Sequence, residues 1–344
     1  MQEKNGKWLG KLPSKTLEKI LSGPLGSGGA STVVGPSIGE DAAIIDMGCC
    51  DLVMHVDPIT EAGNRAGWLA VHVASNDIAV TGARPRWVML TILAREGASL
   101  EEIQGIIHEA GRAASEIGAE IVGGHTEVTP GLGKTIVQAT AIGYTCKGCS
   151  VPTSGAKPGD LVLQVKPAGL EGTAIIATDF RDTLEDMGID REILDRASTF
   201  YDKISVVKEA LALADRGLVT AMHDPTEGGL LGGLIEIAKA SHTTLIVRAS
   251  DILVTRETSI IAEALKIDPL KLISSGTLIA TVPRRHAGEV DRVLGGMGVE
   301  HKFIGEVAEY SGSYLRLKAG EAYIEYNEEP MDEITRVIEK YGKG

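Results

Sequence analysis

Hydrophobic positions along this chain alternate between a period near two and a period near 3.6, and their order predicts a mixed α/β protein. After a helical segment, SKTLEKIL, a small-residue stretch, GPLGSGGASTVVGPSIG, leads to strands near AAIID and DLVMHVD. In the second strand Leu52, Met54 and Val56 share one face, His55 and Asp57 share the other, and Pro58 stops it. A helix is expected from about Asn64 to Thr81, ended by Gly82 with Pro85 beyond. A strand (RWVMLTILA), a helix (SLEEIQGIIHEAGRAASEI), a strand (AEIVGG) and a long strand (KTIVQATAIGYT) follow. The stretch VPTSGAKPGD is rich in Pro, Gly and Ser, which puts a junction near 150–160 and expected domains at 1–155 and 156–344. The second half reads as strand LVLQVK, helices across about 169–216, strand VTAMH, a helix after PTEGG, strand TTLIVRA and helix SIIAEALKI. Strands near TLIATV and KFIGEVAEY and a last helix, DEITRVIEKYG, complete it.

One position breaks the pattern. Ala66, Ala70, Val73, Asp77 and Val80 fall on a single helical stripe, so a carboxylate stands where an apolar side chain is expected. A lone buried carboxylate costs several kcal/mol, and the negative end of the helix dipole adds to that, so Asp77 needs a cation. Arg84 or Arg86 in a structural ion pair would serve, and so would a divalent metal shared with other acids. Asp41 and Asp57 also stand at the ends of elements, and His125, Thr126 and Glu127 follow the Gly-Gly that closes AEIVGG. In the second half, Thr226 is a candidate N-cap, and the glycines after it let an anion approach a helix start. Ser274, Ser275 and Gly276 form a turn before a strand; taken singly, such turns and caps are ordinary structural features.

Composition narrows the classes. Of 344 residues only 4% are aromatic and the formal net charge is −13, so neither base stacking nor phosphate-backbone binding is expected. No apolar run reaches the roughly 18 residues of a membrane span and the start lacks a signal-peptide core, which predicts a cytoplasmic protein without membrane contact. Cys49 and Cys50 are adjacent, and Cys146 and Cys149 form a CxxC. Two thiolates at that spacing can reach one ion, but no second CxxC or His-x-His completes four ligands, so a structural role is expected.

Read in order, IGEDAAII, HVDPIT, SNDIAVTGARP, VGGHTEV, AKPGDLVL, HDPTEGGLLGGL and SSGTLIA resemble the successive motifs of the aminoimidazole ribonucleotide synthetase-like (PurM-like) superfamily, from about Gly39 to Ala280. Within it the chain is most similar to the hydrogenase maturation factors of HypE type. The resemblance implies an N-terminal α/β domain that dimerises by pairing its sheet into a barrel, then a C-terminal α/β domain, with ATP and Mg²⁺ bound between the domains. It implies Asp41, Asp57 and Asp77 as metal ligands and Asn76, Thr126, Gly28, Gly29, Gly39, Gly228 and Gly229 at the nucleotide. His223, Asp224 and His125 become the candidate catalytic groups. The implied reaction passes the ATP γ-phosphoryl group to a carbonyl or amide oxygen of a small acceptor, after which a nucleophile or dehydration completes the reaction. A small-molecule kinase like the thiamine-monophosphate enzymes, and an idle nucleotide-binding protein that acts through a maturation or biosynthetic partner, are the other members this pattern suggests.

Departures from the pattern are specific. His125 stands where many relatives have Asp, and Glu227 where HypE-type motifs have Arg. The sequence ends RVIEKYGKG with no Cys after Cys149, so the tail thiol that HypE factors modify is not expected. Selenophosphate synthesis is not expected either, for want of a Cys in the N-terminal Gly-rich loop.

Overall fold

Two β-sheets organise the chain in the computed structural model, which describes residues 14–21, 31–60 and 65–342. Among the described residues, one unit comprises 31–35, 41–60 and 65–150; the other comprises 14–21, 36–40 and 151–342. A first helix, α1 (Ser14–Leu21), belongs to the second unit.

The first unit contains β1 (Thr32–Val34), β2 (Ala43–Asp46), β3 (Cys50–Ile59), α2 (Ala66–Val80), β4 (Arg84–Ala94), α3 (Leu100–Ile117), β5 (Glu120–Val128) and β6 (Ile136–Cys146). Its sheet runs β1-β2-β3-β6-β4-β5, antiparallel except for the parallel pair β4–β5, which α3 connects. Polar caps set both helices. The Ser99 hydroxyl accepts the Glu102 N–H at 3.2 Å to start α3, and the Thr81 hydroxyl closes α2 by donating to the Ile78 carbonyl at 2.7 Å. Gly82 then takes φ 76°, as its place after the helix predicts.

Three details of the first unit differ from the pattern. Pro58 does not stop β3, which stays paired with β6 at Pro58 and Ile59. Every residue of α2 is buried, not one stripe, because the helix packs on β3, β4 and β6 on one side and on α3 on the other. The strand that opens AEIVGG does not stop at Gly124 but continues through His125, Thr126 and Glu127 to Val128, paired with β4 as far as Ala94. Gly124 permits the pairing: its φ is 153°, and a Cβ there would lie 1.8 Å from the Leu90 carbonyl oxygen.

In the second unit come β7 (Leu161–Val165), α4 (Leu170–Asp179), α5 (Arg181–Asp186), α6 (Arg191–Ser198), α7 (Val207–Ala214), β8 (Ala221–His223), α8 (Gly229–Ala240), β9 (Thr243–Arg248), α9 (Arg256–Leu265) and β10 (Leu278–Val282). They are followed by α10 (Ala287–Gly296), β11 (His301–Glu309), β12 (Leu315–Ala319), β13 (Ala322–Tyr326) and α11 (Glu333–Tyr341). The sheet order is β13-β12-β9-β11-β7-β10-β8, with β12–β9 the parallel pair. Leu230, Leu234 and Ile237 of α8 pack on Val162, Leu245, Ile279 and Ile304 of the sheet. Each such fully buried side chain contributes about 1.5–3 kcal/mol. Among the described residues no helix is long and apolar enough to cross a membrane.

Candidate metal centre

The period-two face of β3 and the C-terminal half of α2 meet, and what they bring together is acidic. His55 and Asp57 project from the same face of β3, and α2 packs on that strand with Asp77 buried at 6% exposure. His55 Nε2 lies 3.4 Å from an Asp77 carboxylate oxygen and 3.9 Å from one of Asp57. Donor atoms of all three residues lie within 4.8 Å of one another, and carboxylate oxygens of Asp41 and Asp77 meet the same limit. Arg84 and Arg86 are exposed on β4. An imidazole, that of His55, stands beside Asp77.

The orientation of that imidazole is fixed by its other nitrogen. His55 Nδ1 contacts the backbone carbonyl oxygen of Asp41, and since a carbonyl only accepts, Nδ1 carries the proton. Nε2 then faces the carboxylates with either a lone pair or a second proton. A ring N–H held by a backbone carbonyl is the usual support of a metal-ligating histidine, and carboxylate oxygens are the donors that hard divalent ions take. The donor set fits a divalent cation, with His55, Asp57 and Asp77 as its holders and Asp41 adjacent. Sequence periodicity had put His55 on the face of Asp57 without nominating it; the signal was the shared strand parity.

The other nominated residues are distributed. Asn76 is fully buried next to Asp77 on α2. His125 and Thr126 lie on β5, an edge strand separated from β3 by β6 and β4. At about 4.8 Å per strand that is roughly 14 Å, so the first unit does not bring His125 to the acidic group. His125 is exposed and pairs with Glu127, Nε2 to carboxylate at 3.0 Å. Gly28 and Gly29 lie outside the described residues.

In the second unit His223 ends β8 and its Nε2 lies 3.0 Å from the Glu236 carboxylate on α8, both buried. Asp224 follows at 1% exposure. Gly39 packs on the same stretch of α8, where a Cβ would lie 2.7 Å from the Glu236 carbonyl oxygen. The N–H groups of Gly228 and Gly229 already have acceptors in the chain: Gly228 donates to the Asp332 carboxylate at 2.7 Å, and Gly229 to the Thr226 carbonyl at 3.0 Å. Both glycines have positive φ, and a Cβ on Gly229 would lie 2.6 Å from the Leu270 carbonyl oxygen, so backbone conformation and packing account for them. Ser274 is likewise engaged, accepting the Gly169 N–H at 2.8 Å.

Asp332 is the N-cap of α11 and accepts three backbone N–H groups, from Gly228 at 2.7 Å, Ile334 at 2.8 Å and Ile273 at 3.3 Å. Burial outweighs those three bonds, and with Glu227 nearby the carboxyl is pushed up to about 7.

The fold and the acidic centre define a two-unit α/β protein with a site suited to a hard divalent ion. The chain belongs to the AIR synthase-related family: residues 39–145 match the AIR synthase related protein N-terminal domain and residues 157–318 its C-terminal domain. A carbamoyl dehydratase HypE from Cupriavidus necator is 31% identical over 270 residues, 76% of this chain and 73% of that one. Among solved structures, a HypE in complex with ATP superposes with TM-score 0.68 at 24% identity, covering 89% of this chain and 88% of that one. A chain of a HypE–HypF complex does so with TM-score 0.69 at 23% identity, covering 84% and 93%.

Proposed function

We propose that this chain is a HypE-like, ATP- and Mg²⁺-dependent enzyme that passes the ATP γ-phosphoryl group to the carbonyl or amide oxygen of a small carbamoyl-type acceptor and so drives its dehydration. The observation that carries the reading is the convergence of His55, Asp57 and Asp77 in a chain of this family. ATP binding is supported by the ATP-bound HypE, and dehydration by the carbamoyl dehydratase relative. In this reading residues 1–155 hold metal and nucleotide and provide the dimer contact, and residues 156–344 form the second domain.

Asp57, Asp77 and His55 Nε2 would hold the ion, with Asp41 fixing the imidazole through its carbonyl. A bound magnesium neutralises charge on the phosphates and orients them for transfer. Converting a carboxamide to a nitrile with ATP yields ADP and inorganic phosphate and requires both amide protons to leave. His223, whose Nε2 lies 3.0 Å from the Glu236 carboxylate, is the candidate to accept one of them.

The homodimer is supported by the outer face of the first sheet. Val56, Trp87, Met89, Val122 and Tyr144 are 39–54% exposed there, and Val56, Thr140 and Met89 stand side by side across three strands. A face of that size and character is what an interface covers. A hydrogenase-maturation protein is the partner class, since a HypE forms a complex with HypF, and the cytoplasm is the compartment.

The test is ADP release from MgATP in the presence of a small S-carbamoyl thiol, for the native chain and Asp77→Asn. Mg²⁺-dependent ADP and phosphate release with a nitrile product, lost on the order of 100-fold or more in the variant while it remains dimeric, is expected. A stable phosphorylated acceptor would make the chain a kinase, and ATP binding without turnover would make it a partner protein; either overturns the dehydratase reading.

A further inference from the structure

The four cysteines, which local sequence spacing leaves as two unrelated pairs, are brought together by strand register. Cys50 of β3 is directly opposite Cys146 of β6, so their side chains share one face with Cβ atoms about 4.5–5.5 Å apart. Cys146 is joined to Cys149 by a disulfide, and the Cys49 and Cys50 sulfurs lie 3.9 Å apart. In a tetrahedral four-thiolate zinc site with Zn–S bonds of about 2.3 Å the sulfurs lie about 3.8 Å apart, so the thiol pair already has the edge length of such a site.

The turn that carries the CxxC is built to present its sulfurs. Gly148 takes φ 71°, and the Cys149 N–H closes the turn on the Cys146 carbonyl at 3.0 Å. Asp51, the residue after Cys50, ties the turn to β3 by accepting the Gly148 N–H at 2.9 Å and the Ser150 hydroxyl at 3.1 Å. Lys147, paired with Asp46 at 2.8 Å, puts a cation beside the sulfurs. Cys49, Cys146 and Cys149 are exposed and Cys50 is half-buried, so an ion can enter.

We propose that Cys49, Cys50, Cys146 and Cys149, in the reduced chain, form a tetrathiolate site for one Zn²⁺ at the end of the β3–β6 ribbon, separate from the acidic centre. A dithiol or phosphine reductant supplies the two electrons and two protons that open the Cys146–Cys149 bond. Four thiols then bind one Zn²⁺ and release four protons, leaving a complex of charge −2 that Lys147 partly offsets.

The experiment titrates the reduced, full-length chain anaerobically with Zn²⁺ and with Co²⁺. One equivalent of Co²⁺ is expected to give thiolate-to-metal charge transfer, displaced by Zn²⁺; the acidic centre, which has no sulfur, cannot give that band. Cys50→Ser is expected to weaken Zn²⁺ binding by at least about 10-fold. On the native chain, Zn²⁺ should protect all four thiols from maleimide, which needs no variant to fold. Absence of the charge-transfer band, protection of two thiols only, or unchanged affinity in both Cys49→Ser and Cys50→Ser would overturn the site.

Discussion

Asp332→Asn should flatten the pH dependence of stability. The native carboxyl titrates near 7 against 3.8 in the ordinary state, so the folded chain keeps a proton that the unfolded chain has lost. A group raised in this way stabilises the fold most at low pH, and that contribution is lost as pH climbs from about 4 to about 7, at about 1.4 kcal/mol per unit. Between pH 5 and pH 8 the native chain should therefore lose about 3 kcal/mol that the variant does not lose. Asparagine is an equally good N-cap, so the start of α11 survives. Its single oxygen leaves part of the three-bond set unmade, a fixed loss of about 1–3 kcal/mol that does not depend on pH. Urea denaturation followed by circular dichroism at pH 5, 6, 7 and 8 gives the two slopes. Equal slopes for both proteins would refute the argument and mean that the three N–H donors, rather than burial, govern this carboxyl.

Two further perturbations test packing and assembly. Gly229→Ala puts a Cβ at φ 64°, 2.6 Å from the Leu270 carbonyl oxygen and 2.7 Å from that of Leu272; a loss of about 3 kcal/mol, or roughly 6–12 °C in Tm for a unit of this size, should appear by calorimetry, and an unchanged Tm would contradict it. Met89→Asp charges the centre of the exposed apolar face and should convert dimer to monomer in sedimentation velocity with the circular dichroism spectrum intact, whereas a variant of unchanged mass would remove that face from the interface.

The strand–helix order and the intrusion of Asp77 were readable because both follow from local periods. His55 was not nominated, since only its Nδ1 contact with the Asp41 carbonyl distinguishes it from any histidine on a strand, and that contact spans 14 residues. The continuation of β5 past Gly124 was hidden because glycine pairs look like strand ends, while here the missing side chain is what lets β5 lie against Leu90. The hairpin β12–β13 and the helix α10 were missed for opposite reasons. The hairpin turns on only Gly320 and Glu321, and α10 contains glycines that weaken its helical signal. The cysteine cluster depends on β3 pairing with β6 across some ninety residues, which no local pattern encodes.

The short run Pro36–Glu40 belongs to the second unit although it is spliced into the sequence of the first. Its Glu40 carboxylate receives the Thr153 and Ser154 N–H groups, and Gly39 fills a gap against α8. A fragment cut at residue 150 would thus leave Thr153 and Ser154 without their acceptor and a hollow beside Glu236. Anyone dissecting this protein into halves would do better to graft those five residues back by circular permutation than to trust the midpoint of the chain.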